Sequence, residues 1–263
     1  MNSFVTTVNF QVKTDSWKEA QELLGAFERF IPSQPGCIYF QLHVPVKLNA
    51  VAQRRCENGN REPGAFTHTL NMDGTVTVFK RDVWEDHEYF SRHSESEFVT
   101  CKLGKIFAIS HGLPYFLPWE RILSEANNGI PVTWNQYQNH SRELDDWQSR
   151  KALEKAGGDN AIIVVTHRSC RESTKPRFQS LLFQLATACR RTGLTDTYDV
   201  HASLEPSQPN LFMEYSIWNS VESFHLHLEE PLIKELRNEM HFLEADEPRV
   251  TFYKKFKFED WKL

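Results

Sequence analysis

One pattern of aromatic and histidine residues occurs twice in this chain of 263 residues. Each copy is a tryptophan followed by a helix-capping residue two positions on, a phenylalanine six positions on and a histidine nine positions on. The two copies are Trp84, Asp86, Phe90 and His93 and, 134 residues later, Trp218, Ser220, Phe224 and His227. A constant offset between matching residues is the signature of an internal repeat, which decides the fold before other features do. We therefore expect one small module to be used twice.

Upstream of that pattern, a second pair of segments matches at a larger offset. The strand-like residues 38–44 correspond to 195–202, and His43 aligns with His201 at an offset of 158 residues. The two offsets differ by 24 residues, which places an insertion of that length in the first copy, within 45–73. Most insertions of this kind are surface hairpins, and some cover a neighbouring cavity.

Hydrophobic periodicity predicts the same order of elements in both copies. Residues 4–13 and 161–169 have strand character, and apolar residues at helical spacing predict a long helix after each of them. Ser16 and Glu19 form a capping-box pattern at the start of the first of these helices. The order β-α-β-β-α-β is that of a ferredoxin-like half, in which helices cover one face of an antiparallel sheet. The sequence therefore predicts an α+β protein made of two such repeats.

The predicted domain organisation follows from these two copies. We expect a first domain at 1–123, which contains the insertion at 45–73, and a second domain at 161–263. Residues 124–160 are predicted to form a linker with a charged amphipathic helix that begins at Ser141.

Charge and cysteine content limit the partners and the compartment. A net charge of −5 and a pI near 6.1 argue against a nucleic-acid surface, because such a surface needs cations that neutralise phosphates. The sequence contains no apolar stretch of the roughly 18–20 residues that a membrane span requires. The first residues lack the pattern of a secretory signal, and the five cysteines show no CxxC spacing. We therefore expect a cytoplasmic protein that has neither a nucleic-acid nor a membrane partner.

With these motifs established, the chain resembles a tandem member of the antibiotic biosynthesis monooxygenase domain family, in the dimeric α/β-barrel superfamily. The resemblance rests on the order of elements and on the repeated tryptophan, cap, phenylalanine and histidine, and it covers about 3–123 and 161–256. In that family, two copies join sheet to sheet into a closed barrel. The resemblance therefore implies an intramolecular, pseudo-dimeric α/β barrel, and it leaves open whether two chains associate further.

The same resemblance implies a chemistry. Family members that modify polyketides or oxidise quinols use neither a metal nor a flavin, because an electron-rich aromatic substrate is deprotonated in an apolar pocket and then reacts with O₂ directly. A small aromatic or quinol-type molecule and O₂ are therefore the implied partners, and no cofactor is expected. Two other functions stay open, a non-catalytic small-molecule-binding barrel and an isomerase of a signalling metabolite.

The candidate site residues occupy matching positions in the two copies. They are Asn9, Trp84 and His93 in the first copy, and His167, Trp218 and His227 in the second. The two tryptophans match the one that such family members place in the pocket, and a histidine can act as a base because its pKa lies near neutrality. The alternative for each of these residues is an ordinary place in the core. The sequence slightly favours the first copy as the active one, because the insertion can form its lid.

Two departures from the family pattern restrict the site further. Some members carry an asparagine four residues before the tryptophan, where this chain has Lys80 and Glu214. Haem-degrading members use an axial histidine at a position that is Leu103 in the first copy and Arg237 in the second, and neither residue ligates iron. The sequence therefore argues against haem degradation. It also lacks the spaced histidines and cysteines of a metal site, so no metal is expected.

Overall fold

The computed structural model describes residues 4–48, 66–68, 73–124, 132–133 and 161–255. Most of the predicted insertion at 45–73 and of the predicted linker at 124–160, with its helix, lies outside these described residues. By its internal contacts the chain divides into two compact units. The first unit comprises 1–45, 68–119 and 254–263, and the second comprises 46–67 and 120–253.

The first half of the described chain alternates strands and helices. Its elements are β1 (Phe4–Lys13), α1 (Trp17–Phe30), β2 (Cys37–Leu48), β3 (Phe66–His68), β4 (Thr75–Trp84), α2 (His87–Ser94), α3 (Glu97–Ile109) and β5 (Tyr115–Ser124). Strand β4 pairs antiparallel with β1 on one side and with β2 on the other, and β5 pairs with β1. The strand order is therefore β5-β1-β4-β2.

Helix α1 packs on this sheet through one apolar face. Ala20, Leu23, Leu24 and Phe27 are buried at helical spacing in a core shared with β1, β2 and β4. The capping-box prediction at Ser16 is wrong. Ser16 ends a 3₁₀ turn that leads directly into α1, and its φ of −96° and ψ of 6° differ from the extended conformation that lets a capping hydroxyl accept from the next turn.

The second half of the described chain begins with the two-residue strand β6 (Val132–Thr133), which has no counterpart in the first half. It then repeats the order of the first half, without a counterpart of β3, through β7 (Ile162–Ser169), α4 (Lys175–Arg191), β8 (Thr195–Ser203), β9 (Leu211–Trp218), α5 (Val221–Glu229), α6 (Pro231–His241) and β10 (Arg249–Lys255). Strand β9 pairs antiparallel with β7 and β8, and β10 pairs antiparallel with β7. The order β10-β7-β9-β8 has the same form as the order in the first unit, and the protein is of the α+β class.

Strand pairing in the two units follows the offsets seen in the sequence. Val8 pairs with Lys80 between β1 and β4, and Thr166 pairs with Glu214 between β7 and β9. The first members of these pairs are 158 residues apart and the second members 134, which are the two offsets found in the sequence. The predicted helix caps are confirmed as well. Asp86 accepts a hydrogen bond from the backbone N–H three residues on at 3.0 Å, and Ser220 does the same at 3.1 Å. Both short helices are therefore anchored in the same way, each carrying its histidine at an equivalent position.

Candidate functional site

A cavity of about 280 Å³ lies inside the first unit, between the sheet and its helices. This volume is at the small end of the roughly 300–1,000 Å³ that is usual for small-molecule pockets. Most of the wall is apolar and comes from the strands and from α1 and α3, including Val8, Phe10, Leu24, Phe40, Leu42 and Val99. Among the described residues that line it, the ionisable ones are Lys80 and His93.

The cavity approaches the surface where α3 leads into β5. Phe107 and Phe116 both line the cavity, yet 46% and 42% of their surfaces are exposed. Leu113, in the turn between them, is 91% exposed. Exposed apolar side chains grouped beside a cavity mark a binding surface more often than they mark a stable exterior. This turn is therefore the candidate entrance for an apolar molecule.

His93 is buried beside Trp84, and one nitrogen of each ring lacks a hydrogen-bond partner among the described residues. The ring centroids are 4.5 Å apart, and His93 is only 5% exposed. Within the part of the chain that the structure describes, His93 Nδ1 and Trp84 Nε1 have no hydrogen-bond partner. Leaving a buried polar atom without a partner costs about 1–3 kcal/mol, so native proteins do it rarely and often at functional sites.

The environment of His93 keeps its imidazole neutral. Burial lowers the pKa of His93 to about 4, the charge of Lys80 acts in the same direction, and Asp82 opposes them weakly. At neutral pH the ring therefore carries one proton and presents one nitrogen lone pair. That arrangement suits an acceptor for a hydroxyl proton on a bound molecule.

Lys80 places a cation in an otherwise apolar part of the wall. It lies in the middle of the central strand β4, between Val8 of β1 and Leu42 of β2, and both of these neighbours also line the cavity. Its Nζ is 2.7 Å from Oδ2 of Asp82, and its side chain is 14% exposed. The other carboxylate oxygen of Asp82 accepts a hydrogen bond from the Thr6 hydroxyl. The ammonium is thus held in place by a carboxylate that is itself anchored.

The structure brings together two of the three residues predicted for the first site. Trp84 packs against His93 but is fully buried and does not form part of the cavity wall. Asn9 does not line the cavity, whereas its neighbours Val8 and Phe10 do, because successive residues of a strand point to opposite faces. In the sequence, Lys80 is recognisable only as a departure from the family pattern. Lys80 lies four residues before Trp84 on β4, and this even spacing places both side chains on the same face of the strand.

In the second unit, the two nitrogens that are unpaired in the first unit, the histidine Nδ1 and the tryptophan Nε1, both have hydrogen-bond partners. The rings of His227 and Trp218 stack with centroids 4.1 Å apart. Trp218 Nε1 donates to the Ser216 hydroxyl at 2.8 Å, and His227 Nδ1 donates to the Phe224 carbonyl oxygen. Burial lowers the pKa of His227 to about 4, as it does for His93. Nδ1 of His227 and Nε1 of Trp218 are therefore not left over for a ligand, unlike the same two nitrogens of the first unit.

His167, the third predicted residue of the second copy, lies on β7 opposite Met213 of β9. Its position matches that of Asn9, which pairs with Phe79. Burial, followed by the charge of Arg249, lowers the pKa of His167 to about 4. The structure does not join His167 to the stacked pair of Trp218 and His227.

Polar residues replace the cavity wall in the second unit. Three wall residues of the first unit, Phe10, Phe40 and Lys80, have as counterparts Arg168, Tyr198 and Glu214. Arg168 donates to the carboxylates of Glu214 and Glu244, and the Tyr198 hydroxyl also donates to Glu214. Burial opposes the charge of Glu214, but Arg168 overcomes it and lowers the pKa of that carboxyl. These four residues, the second-unit network, bind one another inside the core.

The described residues show neither a metal-binding cluster nor a membrane-spanning helix. They contain no group of three His, Cys, Asp or Glu side chains that is placed to hold a metal ion. The helices among them are also too short or too polar for a membrane crossing.

Known structures resemble this chain over nearly its whole length. A putative monooxygenase from Fusobacterium nucleatum matches with a TM-score of 0.65 and 10% identity, covering 97% of this chain and 93% of the other. A putative monooxygenase from Lactobacillus acidophilus matches with a TM-score of 0.61 and 8% identity, covering 97% and 94%. An anthrone oxidase-like protein matches with a TM-score of 0.53 and 12% identity, covering 98% and 92%.

No family model and no curated protein sequence matches the chain. At these identities the structural matches establish the fold and not the activity. The expected resemblance to the antibiotic biosynthesis monooxygenases is confirmed at that level. The chain has the fold of full-length proteins that are named for monooxygenase chemistry.

Proposed function

We propose that the protein is a cofactor-independent monooxygenase-like enzyme whose first-unit cavity binds a flat, electron-rich aromatic or quinol-type molecule and brings it to react with O₂. The observation that carries this proposal is a neutral, buried histidine with an unpaired ring nitrogen, His93, in the wall of an apolar cavity. An aromatic ring fits the apolar wall, and a hydroxyl of that ring can satisfy the histidine. Trp84, whose ring packs against His93 at an interplanar angle of 32°, holds the imidazole in place and acts as a positioning residue.

The chemistry needs no group beyond the substrate and O₂. In an anthrone-like molecule, a CH₂ group between two aromatic rings becomes a carbonyl. One atom of O₂ enters the product, and the other leaves as water with the two hydrogens of that CH₂ group. The role of His93 is to accept the hydroxyl proton of the enol form, which produces an electron-rich anion that O₂ can oxidise. The apolar wall excludes water and so favours contact between O₂ and the anion.

A non-catalytic binding function is the second candidate, and the same histidine favours it. An imidazole with a pKa of about 4 is a weak base, so it can hold a hydroxyl by a hydrogen bond without removing its proton. A binding protein and an enzyme would then have the same cavity. Turnover of the bound molecule distinguishes the enzyme from the binding protein.

We further propose that both units are copies of one ferredoxin-like module, and that together they make the intramolecular barrel that the family resemblance implies. The equal strand registers in the two units support the first part of this proposal. A cytoplasmic location remains part of the same proposal, because Cys170 and Cys189 are buried as free thiols.

The test is oxygen consumption with anthrone and with a reduced naphthoquinone, measured above the spontaneous rate without protein. We expect His93→Gln to lower the turnover at least about tenfold, since a positioned base contributes roughly 10²–10⁴ in rate. His227→Gln is the matched variant in the second unit and should keep the turnover. Binding in a thermal-shift assay without oxygen consumption would establish the binding function. If neither substrate binds or turns over, the proposed site is wrong.

A further inference from the structure

We infer that Lys80 is the anion-binding group of the first-unit cavity, and that it selects hydroxylated aromatic molecules that bind as phenolate or enolate anions. This inference rests on the proposed function only in that the cavity must bind such a ring. It adds the charge state in which the ring is held and the residue that decides it.

The position of Lys80 is unusual for a side chain whose only task is solubility. It is 14% exposed and projects from the central strand, between Val8 and Leu42, into the same cavity as His93. Lysine is rarely this buried without a partner or a function. Its partner is Asp82, at 2.7 Å, and Asp82 is fully buried. The ammonium therefore has one carboxylate beside it and an apolar cavity in front of it.

The other elements packed around the cavity do not supply a competing charge. The lining residues from β1, β2, α1 and α3 are apolar, the turn before β5 contributes Pro114, and β5 itself contributes Phe116. From α2 come Ser94 and His93, and His93 is neutral at pH 7. An anionic oxygen inside the cavity thus meets Lys80 as its cation, with His93 as a hydrogen-bond donor once it has taken up the proton.

The second unit shows that this charge is a specific feature of the first. The residue in register with Lys80 is Glu214, of opposite charge, and Arg168 and Tyr198 bind it. A cation is therefore not needed to build this central strand. Its presence in the unit that has the cavity points to a role towards a ligand.

The test uses 1-naphthol as the probe, because its naphtholate absorbs light at a longer wavelength than the neutral form. The absorbance of the protein-bound probe is titrated with pH, and its pKa is compared with that of free 1-naphthol. In the wild-type protein we expect the pKa of the bound probe to fall by about 1–2 units, because a cation within hydrogen-bonding distance favours the anion. Lys80→Arg keeps the cation and should keep a lowered pKa.

Lys80→Met retains the aliphatic stem without the charge. The pKa of the bound probe should then rise above that of free naphthol, because burial alone favours the neutral form. Lys18→Met removes one charge from the exposed face of α1 and serves as the control, with no expected effect. Binding of 1-naphthol at pH 6, where the probe is neutral, verifies that each variant retains a folded cavity.

The outcomes separate this inference from the proposed function. A bound probe whose pKa is unchanged or raised in the wild-type protein overturns the role of Lys80, while the cavity stands as a binding site. A lowered pKa that persists in Lys80→Met also overturns it. Failure of 1-naphthol to bind the wild-type protein at any pH overturns the binding cavity and this inference together.

Discussion

The two units of this protein have the same strand registers and a tryptophan ring in contact with a histidine ring, but the space beside that pair is filled differently. In the first unit, His93 and Trp84 keep unpaired nitrogens next to an apolar cavity. In the second, Nδ1 of His227 and Nε1 of Trp218 are bonded, and the second-unit network lies where the cavity wall would be. The same backbone therefore carries a candidate site in one unit and a bonded polar core in the other.

We infer that the unsatisfied ring nitrogens beside the cavity mark the first unit as the functional one. A buried polar group without a partner lowers stability, so it persists where a ligand satisfies it. In the second unit, the positions of the cavity wall are taken by Arg168, Glu214 and Tyr198, which together with Glu244 bind one another. We infer that the first unit retains the ability to bind and that the second contributes mainly stability.

The largest expected effect comes from breaking the second-unit network. Arg168→Met should lower the free energy of unfolding by about 3–5 kcal/mol, because it leaves two buried carboxylates without their cation. Urea unfolding followed by circular dichroism measures this loss. Arg177→Met is the matched control, since its partner Glu239 is exposed and such a pair contributes less than about 1 kcal/mol.

Equal losses in the two arginine variants would contradict the division of roles between the units. The network would then be no more important than a surface ion pair. Oxygen consumption by Arg168→Met, measured at a temperature where it stays folded, should equal that of the wild-type protein.

A smaller effect is expected from two matching turn glycines. Gly36 and Gly193 have φ values of 74° and 67°, in the region that favours glycine, so alanine is strained by about 1 kcal/mol at either position. A Cβ at Gly36 would also overlap Tyr89 of α2, the helix that carries His93, whereas a Cβ at Gly193 meets no atom of the described chain within 4 Å. Gly36→Ala should therefore cost about 2–4 kcal/mol, and Gly193→Ala about 1 kcal/mol.

Thermal unfolding of both glycine variants measures these costs. Gly36→Ala should also weaken 1-naphthol binding, because displacement of Tyr89 moves α2 and with it His93. If both variants lose the same stability, the close packing of Tyr89 of α2 on the turn at Gly36 does not distinguish the first unit from the second.

Much of the fold could be predicted from the sequence, because repeated spacing and hydrophobic periodicity are local signals. The strand at 4–13 and the caps at Asp86 and Ser220 were predicted as the structure has them. Ser16 was predicted wrongly because the capping-box pattern does not reveal the 3₁₀ turn that changes the backbone angles before the helix. Local patterns predict which elements form, and the neighbouring chain geometry decides how they end.

The site was less predictable, because a cavity is a property of packing and not of spacing. Trp84 and His93 were found through the repeat, and the structure joins them. Side chains along a strand alternate between its two faces, but the alternation alone does not show which face a given residue takes. The sequence therefore left open whether Asn9 points into the cavity. Arg168 and Glu244 come together across 76 residues of sequence, and no pattern in a single sequence indicates that contact.

The smallest expected effect concerns pH and compares the two histidines directly. The pKa values of His93 and His227 are both lowered to about 4, below the 6.5 of an unfolded chain. As the pH falls, the unfolded state therefore binds protons first, so each histidine reduces the free energy of unfolding between about pH 6.5 and pH 4. Allowing for partial solvent screening, each contributes roughly 1–2 kcal/mol over that range.

Replacing either histidine by glutamine should flatten the pH dependence of stability by a similar amount. The two variants should differ at pH 7, where both histidines are neutral. His227→Gln loses the hydrogen bond from Nδ1 to the Phe224 carbonyl and should be less stable by about 1 kcal/mol, whereas His93→Gln loses no such bond. Urea unfolding at pH 4.5, 5.5, 6.5 and 7.5 measures both quantities. If His93→Gln loses as much stability as His227→Gln at pH 7.5, His93 has a protein partner in solution, and the basis for a ligand at that nitrogen disappears.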